Sequence, residues 1–211
     1  MIAQPALAPE TGACLHLADS PAEFDAIHRE DVAAVIWQRR PLESFQRWID
    51  DLDPALLPTT RLILRPGDVP DTLKLVCDLA GTPDCADRRR LIEDAAALSK
   101  MFAQVMHTEF LRLRLDVIST DACRKFHVDA VTARLVCAYR GKGTQYGVSY
   151  NGSHPDLVNT VPTGMPMIMR GARWHASGAL DFVHRSPPIE GTGATRLLLV
   201  LDPVDDPGDE I

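Results

Sequence analysis

Four side chains in the second half of this 211-residue chain have the types and spacing to hold a metal ion beside an anion. His127 and Asp129 form an H-x-D pair. In extended backbone, residues two apart lie on one face, so both side chains can converge on one ion. His184 follows after a spacer of 54 residues, at the end of a strand-like segment. Two imidazoles and one carboxylate with open positions opposite form a ligand set suited to non-haem Fe(II). That set leaves about three positions of an octahedron for a chelating co-substrate and O₂. Arg196, twelve residues after His184, opens the apolar run RLLLVLD. An arginine pointing inward from such a strand is a costly buried charge unless it meets an anion, and a carboxylate is its natural bidentate partner.

These residues need elements to position them, and periodicity supplies candidates. Ser20-Pro21-Ala22-Glu23 reads as a capping box opening a short helix through about Arg29, followed by a buried strand from Ala33. Leu42, Phe45, Trp48 and Ile49 recur at helical spacing after Pro41 and stop before Pro54. The strongest helix runs from Ala86 to about Met106, with Leu91, Ala95, Leu98 and Phe102 on one stripe and Arg89, Glu93 and Lys100 opposite. The period then changes to two in FLRLRLDVIS, where Leu111, Leu113, Leu115 and Val117 alternate with Arg112, Arg114 and Asp116. Further strands are predicted at Ala133 to Tyr139, Met165 to Met169, Ala179 to His184 and Arg196 to Leu201, separated by turns rich in Gly, Pro, Ser and Asn. This order predicts an α+β protein whose C-terminal half is a β-sandwich or barrel. The expected layout is one domain over 1–201, with a helix-rich layer at 1–110, a metal-bearing core at 111–201, and an acidic tail at 202–211.

The order H-x-D, long spacer, distal His, then Arg resembles the pattern of the Fe(II)/2-oxoglutarate dioxygenase superfamily, over about Leu111 to Asp202. The resemblance implies a double-stranded β-helix (jelly-roll, cupin-like) behind a helical N-terminal layer. It also implies that His127, Asp129 and His184 hold Fe(II), and that Arg196 binds the far carboxylate of 2-oxoglutarate. The implied activity is a hydroxylation-type oxidation of an unknown substrate, entering past a rim from Tyr146 to Asn159. The longer strings FHVDAVTARLVCAYRGKGT, HRSPP and RLLLVLD are also similar to an uncharacterised bacterial domain family often encoded near zinc-homeostasis genes. That second resemblance keeps Zn(II) open, either in a non-catalytic metal-handling protein using the same three residues, with or without Cys123, or in a zinc hydrolase with an activated water.

Two residues near the H-x-D pair have competing readings. Counting in twos from Asp129 puts Tyr139 on its face and Arg134 on the other, a parity that an intervening loop can shift. Tyr139 is then either a core tyrosine or a hydrogen-bond donor to a bound oxoacid, and Arg134 a structural or surface ion-pair residue.

Composition narrows the partners. The chain is 45% hydrophobic and 24% charged, ordinary for a globular protein, and no run reaches the roughly 18 apolar residues of a membrane span. The N-terminal MIAQPALAPETGA has no export-signal pattern, so a cytoplasmic protein is expected, and five cysteines without a CxxC pair read as reduced thiols. Phosphate-loop, dinucleotide, H-E-x-x-H and G-x-S-x-G motifs are missing from the sequence. The net charge of −7 disfavours nucleic acid, and the tail accounts for five of the acids. Between Asp121 and Arg196, nine Arg and Lys face five Asp and Glu. This locally basic segment predicts a small anionic co-substrate.

Overall fold

The computed structural model describes residues 14–149, 154–175 and 181–208. Residues 1–13, part of the YNGSHPD turn (150–153), the ASG turn with the start of the strand expected at Ala179 (176–180), and 209–211 lie outside the described residues. The elements are β1 (Leu15–Ala18), β2 (Ala34–Trp37), α1 (Glu43–Asp51), β3 (Thr60–Leu64), α2 (Val69–Ala80), α3 (Ala86–Met106), β4 (Phe110–Ile118), β5 (Ala133–Arg140), β6 (Gln145–Val148), β7 (Asn159–Thr160), β8 (Pro166–Arg170), β9 (Phe182–Arg185) and β10 (Arg196–Val204). The capping box at Ser20 is present, with the Glu23 carboxylate accepting the Ser20 backbone N–H at 3.0 Å. The segment it opens, Pro21–His28, is wound as a 3₁₀-helix.

Seven strands form one sheet in the order β1-β2-β8-β5-β10-β4-β3, and three form a second in the order β7-β6-β9. Alternation along the long strands divides the large sheet between two cores. Leu111, Leu113 and Leu115 of β4, Leu135 and Cys137 of β5, and Leu197, Leu199 and Leu201 of β10 turn toward the helices, packing with Leu91, Leu98 and Phe102 of α3. Each fully buried leucine there contributes about 2 kcal/mol of apolar burial. The opposite face carries Val136, Ala138, Met167, Met169, Leu198 and Val200, which meet Tyr146 and Phe182 of the small sheet. A helical layer, a large sheet and a small sheet are therefore stacked around two apolar seams.

Two sequence expectations are corrected here. Tyr146 is not part of a rim: it lies in β6, fully buried, with its ring stacked 5.7 Å from Phe182. The acidic tail does not begin at 202, because β10 continues to Val204 and Asp202 is 1% exposed. Clustering with later acids disguises Asp202, whereas its alternation with Arg196, Leu198 and Val200 assigns it to the inner face of the strand.

Candidate metal centre

The two histidines are brought together by backbone, not by side-chain chance. His127 and His184 form an antiparallel bridge, with His127 N–H donating to His184 C=O at 3.0 Å and His184 N–H to His127 C=O at 3.1 Å. His184 is also paired to Tyr146 in β6, so His127 extends the edge of the small sheet. In such a doubly bonded pair the side chains leave from the same face, and the two ring centroids are 4.5 Å apart. His127 Nδ1 donates to the Lys125 carbonyl at 2.8 Å. A carbonyl only accepts, so the proton sits on Nδ1 and Nε2 keeps its lone pair toward the site.

Asp129 sits outside any strand, on a loop held by backbone contacts. Its carbonyl accepts from Ala172 N–H at 2.8 Å, while Val131 C=O accepts from Arg173 and Thr132 C=O from Gly171. The approach is so close that a Cβ on residue 171 would fall 1.9 Å from Val131 O and 2.9 Å from Asp129 O. Only glycine fits beside that loop. Gly171→Ala is therefore expected to displace the Asp129 loop and cost about 1–3 kcal/mol, as overpacking does. Chemical denaturation checks the stability, and metal titration should show weakened binding; unchanged values in both would contradict this packing.

The donor atoms of His127, Asp129 and His184 all lie within 4.8 Å of one another. His184 Nε2 is 3.0 Å from Asp129 Oδ2, and His127 Nε2 is 3.5 Å from Asp129 Oδ1. Apart from this His184 contact, Asp129 Oδ2 is buried without a hydrogen-bond partner. Three donors thus face a common space and one carboxylate oxygen has no other donor than the neighbouring imidazole, which fits a cation. Burial by itself would push the Asp129 carboxyl up. The neighbouring histidines and Arg134 outweigh it and hold the group well below the usual carboxylate range. The Asp129 carboxylate raises His127, and burial lowers His184.

These residues line a cavity of about 120 Å³, shared with Arg114, Asp116, Arg134 and Ser186. Cys123 lines it too without joining the three-residue group. Behind the wall lies Arg196, 0% exposed, whose Nε donates to Lys142 C=O at 2.6 Å and whose Nη1 reaches Ser186 Oγ at 3.4 Å. Its Nη2 is buried with no partner among the described residues. Burial pulls this guanidinium down to about 10, so it is still a cation at neutral pH. Gly141, in the left-handed region at φ +75°, makes room for it: a Cβ there would lie 2.9 Å from Arg196 Cγ.

Tyr139 is not in this site. Its hydroxyl donates to Asp94 at 2.8 Å on the helical side of the large sheet, where Arg39 also pairs with Asp94. That cluster lines a separate cavity of about 400 Å³. Arg134 shows the reverse: it faces the centre, contacting Asp129 and Asp202. The loop between Asp129 and Ala133 is not extended, so counting in twos across it inverts the two residues. Ser186, two residues after His184 on the same face, and Asp202, six after Arg196, were readable by the same alternation.

Residues 18–202 match the model of the family described as "Protein of unknown function (DUF1826)", and the chain belongs to that family. No curated protein matches the sequence. Among solved structures, the chain is similar to dioxygenase for auxin oxidation 1 from Arabidopsis thaliana in its 2-oxoglutarate complex, with 11% identity, a TM-score of 0.54 and 94% of each chain covered. It is also similar to the rice dioxygenase for auxin oxidation, with 10% identity and a TM-score of 0.49, over 91% of this chain and 83% of that one. The first likeness shows a mixed helix-and-sheet fold resembling that of the 2-oxoglutarate oxygenases. No helix among the described residues is long and apolar enough to cross a membrane.

Proposed function

We propose that this chain is a cytoplasmic Fe(II)- and 2-oxoglutarate-dependent oxygenase built on a double-stranded β-helix. It would form one α+β domain closing with β10 and followed by an acidic tail. His127, Asp129 and His184 are the metal ligands and Arg196 is the anchor for the far carboxylate. The observation that carries this reading is the guanidinium of Arg196, fully buried with Nη2 unpartnered and joined through Ser186 to the wall of the cavity that His127, Asp129 and His184 line. A buried Arg⁺ with an empty donor costs several kcal/mol unless an anion completes it. Ser186, which Arg196 touches, lies two residues along from His184, about 7 Å at the rise of an extended strand. A five-carbon dicarboxylate held at the three donors would have a length of that order to reach toward Arg196.

Bound Fe(II) with 2-oxoglutarate and O₂ supplies the oxidising power, one oxygen atom entering the substrate as 2-oxoglutarate becomes succinate and CO₂. The chain's part is orientation. The Lys125 carbonyl fixes the His127 tautomer, the His127–His184 bridge fixes the spacing of the imidazoles, and the small sheet against Met167 and Met169 keeps water from the inner side. The substrate is an organic molecule with an oxidisable C–H bond.

The test is 2-oxoglutarate turnover by the purified protein. Succinate and CO₂ should form with Fe(II) and air, and fail to form with Zn(II) or without O₂. Stoichiometric zinc bound tightly, with no turnover under any of these conditions, would replace this reading by metal handling or zinc hydrolysis.

A further inference from the structure

Resting on that reading of the centre, we infer that Arg134 and Asp202 form a positioning pair that sets how Asp129 meets the metal. Arg134 leaves β5 with its guanidinium between two carboxylates. Its Nε donates to Asp202 Oδ1 at 2.6 Å and its Nη2 to Asp202 Oδ2 at 2.8 Å, a two-pronged lock from β10. The remaining nitrogen, Nη1, contacts Asp129 Oδ1. Asp202 has a second cation, Arg114 Nη2 of β4, at 3.6 Å. The side chains of Arg134 and Asp202 are 16% and 2% exposed.

Three features point to positioning rather than stability. Buried ion pairs of this kind are often replaced by apolar residues without loss of stability, so the array is not needed to hold two packed strands together. Asp129 is the one member of the triad without a β-bridge; backbone contacts of its loop with residues 171–173 fix its main chain and do not involve its carboxylate. Finally, the split is selective: Arg134 engages Oδ1 while Oδ2 stays buried and unbonded. An Asp129 held this way would have Oδ2 to hold an ion while Oδ1 stays with Arg134. Asp202 acts through Arg134, since its bidentate grip fixes the plane of the guanidinium, and a lysine cannot reproduce that fork.

The experiment is a Co(II) titration of the full chain under anaerobic conditions, read by the visible absorption of the bound ion, with thermal melting of each metal-free variant. Wild type should bind one Co(II), and Asp129→Ala should not. Arg134→Gln and Asp202→Asn should each weaken binding about 10–100-fold, the range for residues that orient a ligand. The two together should cost no more than the worse single change. Arg134→Lys should recover only part of the loss and alter the Co(II) spectrum. An apolar pair, Arg134→Met with Asp202→Leu, should melt near wild type yet bind metal as weakly as Arg134→Gln, which a merely structural role would not produce. Wild-type affinity and spectrum in Arg134→Gln would overturn the inference while leaving the metal centre intact. Tighter binding would overturn it too, showing that Arg134 competes with the ion. Failure of wild type to bind any metal would remove the centre itself.

Discussion

Asp129→Ala is expected to reduce metal retention at least about 100-fold while the protein still folds, a larger loss than removing an orienting partner produces. The side chain supplies the only anion among the three donors, and its Oδ2 is buried without another role. The fold should survive because Asp129 holds its loop through backbone groups, and Arg134 keeps Asp202 as a partner. Metal content after desalting and a melting curve check both halves. The wild-type pH profile follows from the same charges. A ligating histidine must be neutral, and His127 is raised by Asp129, so acidification protonates it first while Asp129, held well below the usual carboxylate range, is still ionised. Metal affinity should therefore fall with acidification, beginning where His127, raised above its ordinary value, takes up its proton. In Asp129→Asn the affinity should be far weaker at every pH, but its decline should begin at lower pH, because the charge that raises His127 is gone.

The second large effect is expected for Arg196→Leu. Removing one partner of a buried charge pair costs about 2–5 kcal/mol, so 2-oxoglutarate should bind roughly 30-fold more weakly or worse. Metal binding should stay within a few-fold of wild type, since Arg196 contacts Lys142 and Ser186 and none of the three donors. A leucine of similar girth between Ile118 and Leu198 keeps the apolar seam closed, so melting should change little. Calorimetric titration of 2-oxoglutarate into metal-loaded protein measures this. Equal affinity for wild type and variant would assign Arg196 a structural role, as would a variant that unfolds.

How legible each segment is in the sequence depends on how regular it is. α3 and β4 carry clean stripes, Leu91 to Phe102 at helical spacing and Leu111 to Leu115 at period two, and both fall at their expected places. α2 carries Val69, Leu73 and Cys77 at a spacing of four on its buried side, but the added apolar residues Leu75 and Leu79, 58% and 80% exposed, blur that stripe in the sequence. β3 is an edge strand whose Arg61 and Leu62 are both exposed, which erases alternation. Within the centre, the H-x-D pair and distal histidine were legible because side-chain chemistry and strand-end position coincide. The placement of Arg134 and Tyr139 was not, because one irregular loop separates them from Asp129 and every residue beyond it changes face. Asp202 was hidden by the company of later acids, although its burial against two arginines makes it part of the inner wall.

The wall of the cavity carries Arg114, Arg134 and Arg185 beside Asp116 and Asp129, so basic groups outnumber acids there. A divalent ion would add to that positive excess, and a dicarboxylate would offset it.

If His127, Asp129, His184 and the buried Arg196 form one site for Fe(II) and a chelating 2-oxoacid, titrating anaerobic Fe(II)-loaded protein with 2-oxoglutarate reads it out. A weak visible charge-transfer band should appear, saturate at one equivalent and be missing from Asp129→Ala. A protein that binds Fe(II) yet shows no band at any 2-oxoglutarate concentration would contradict it.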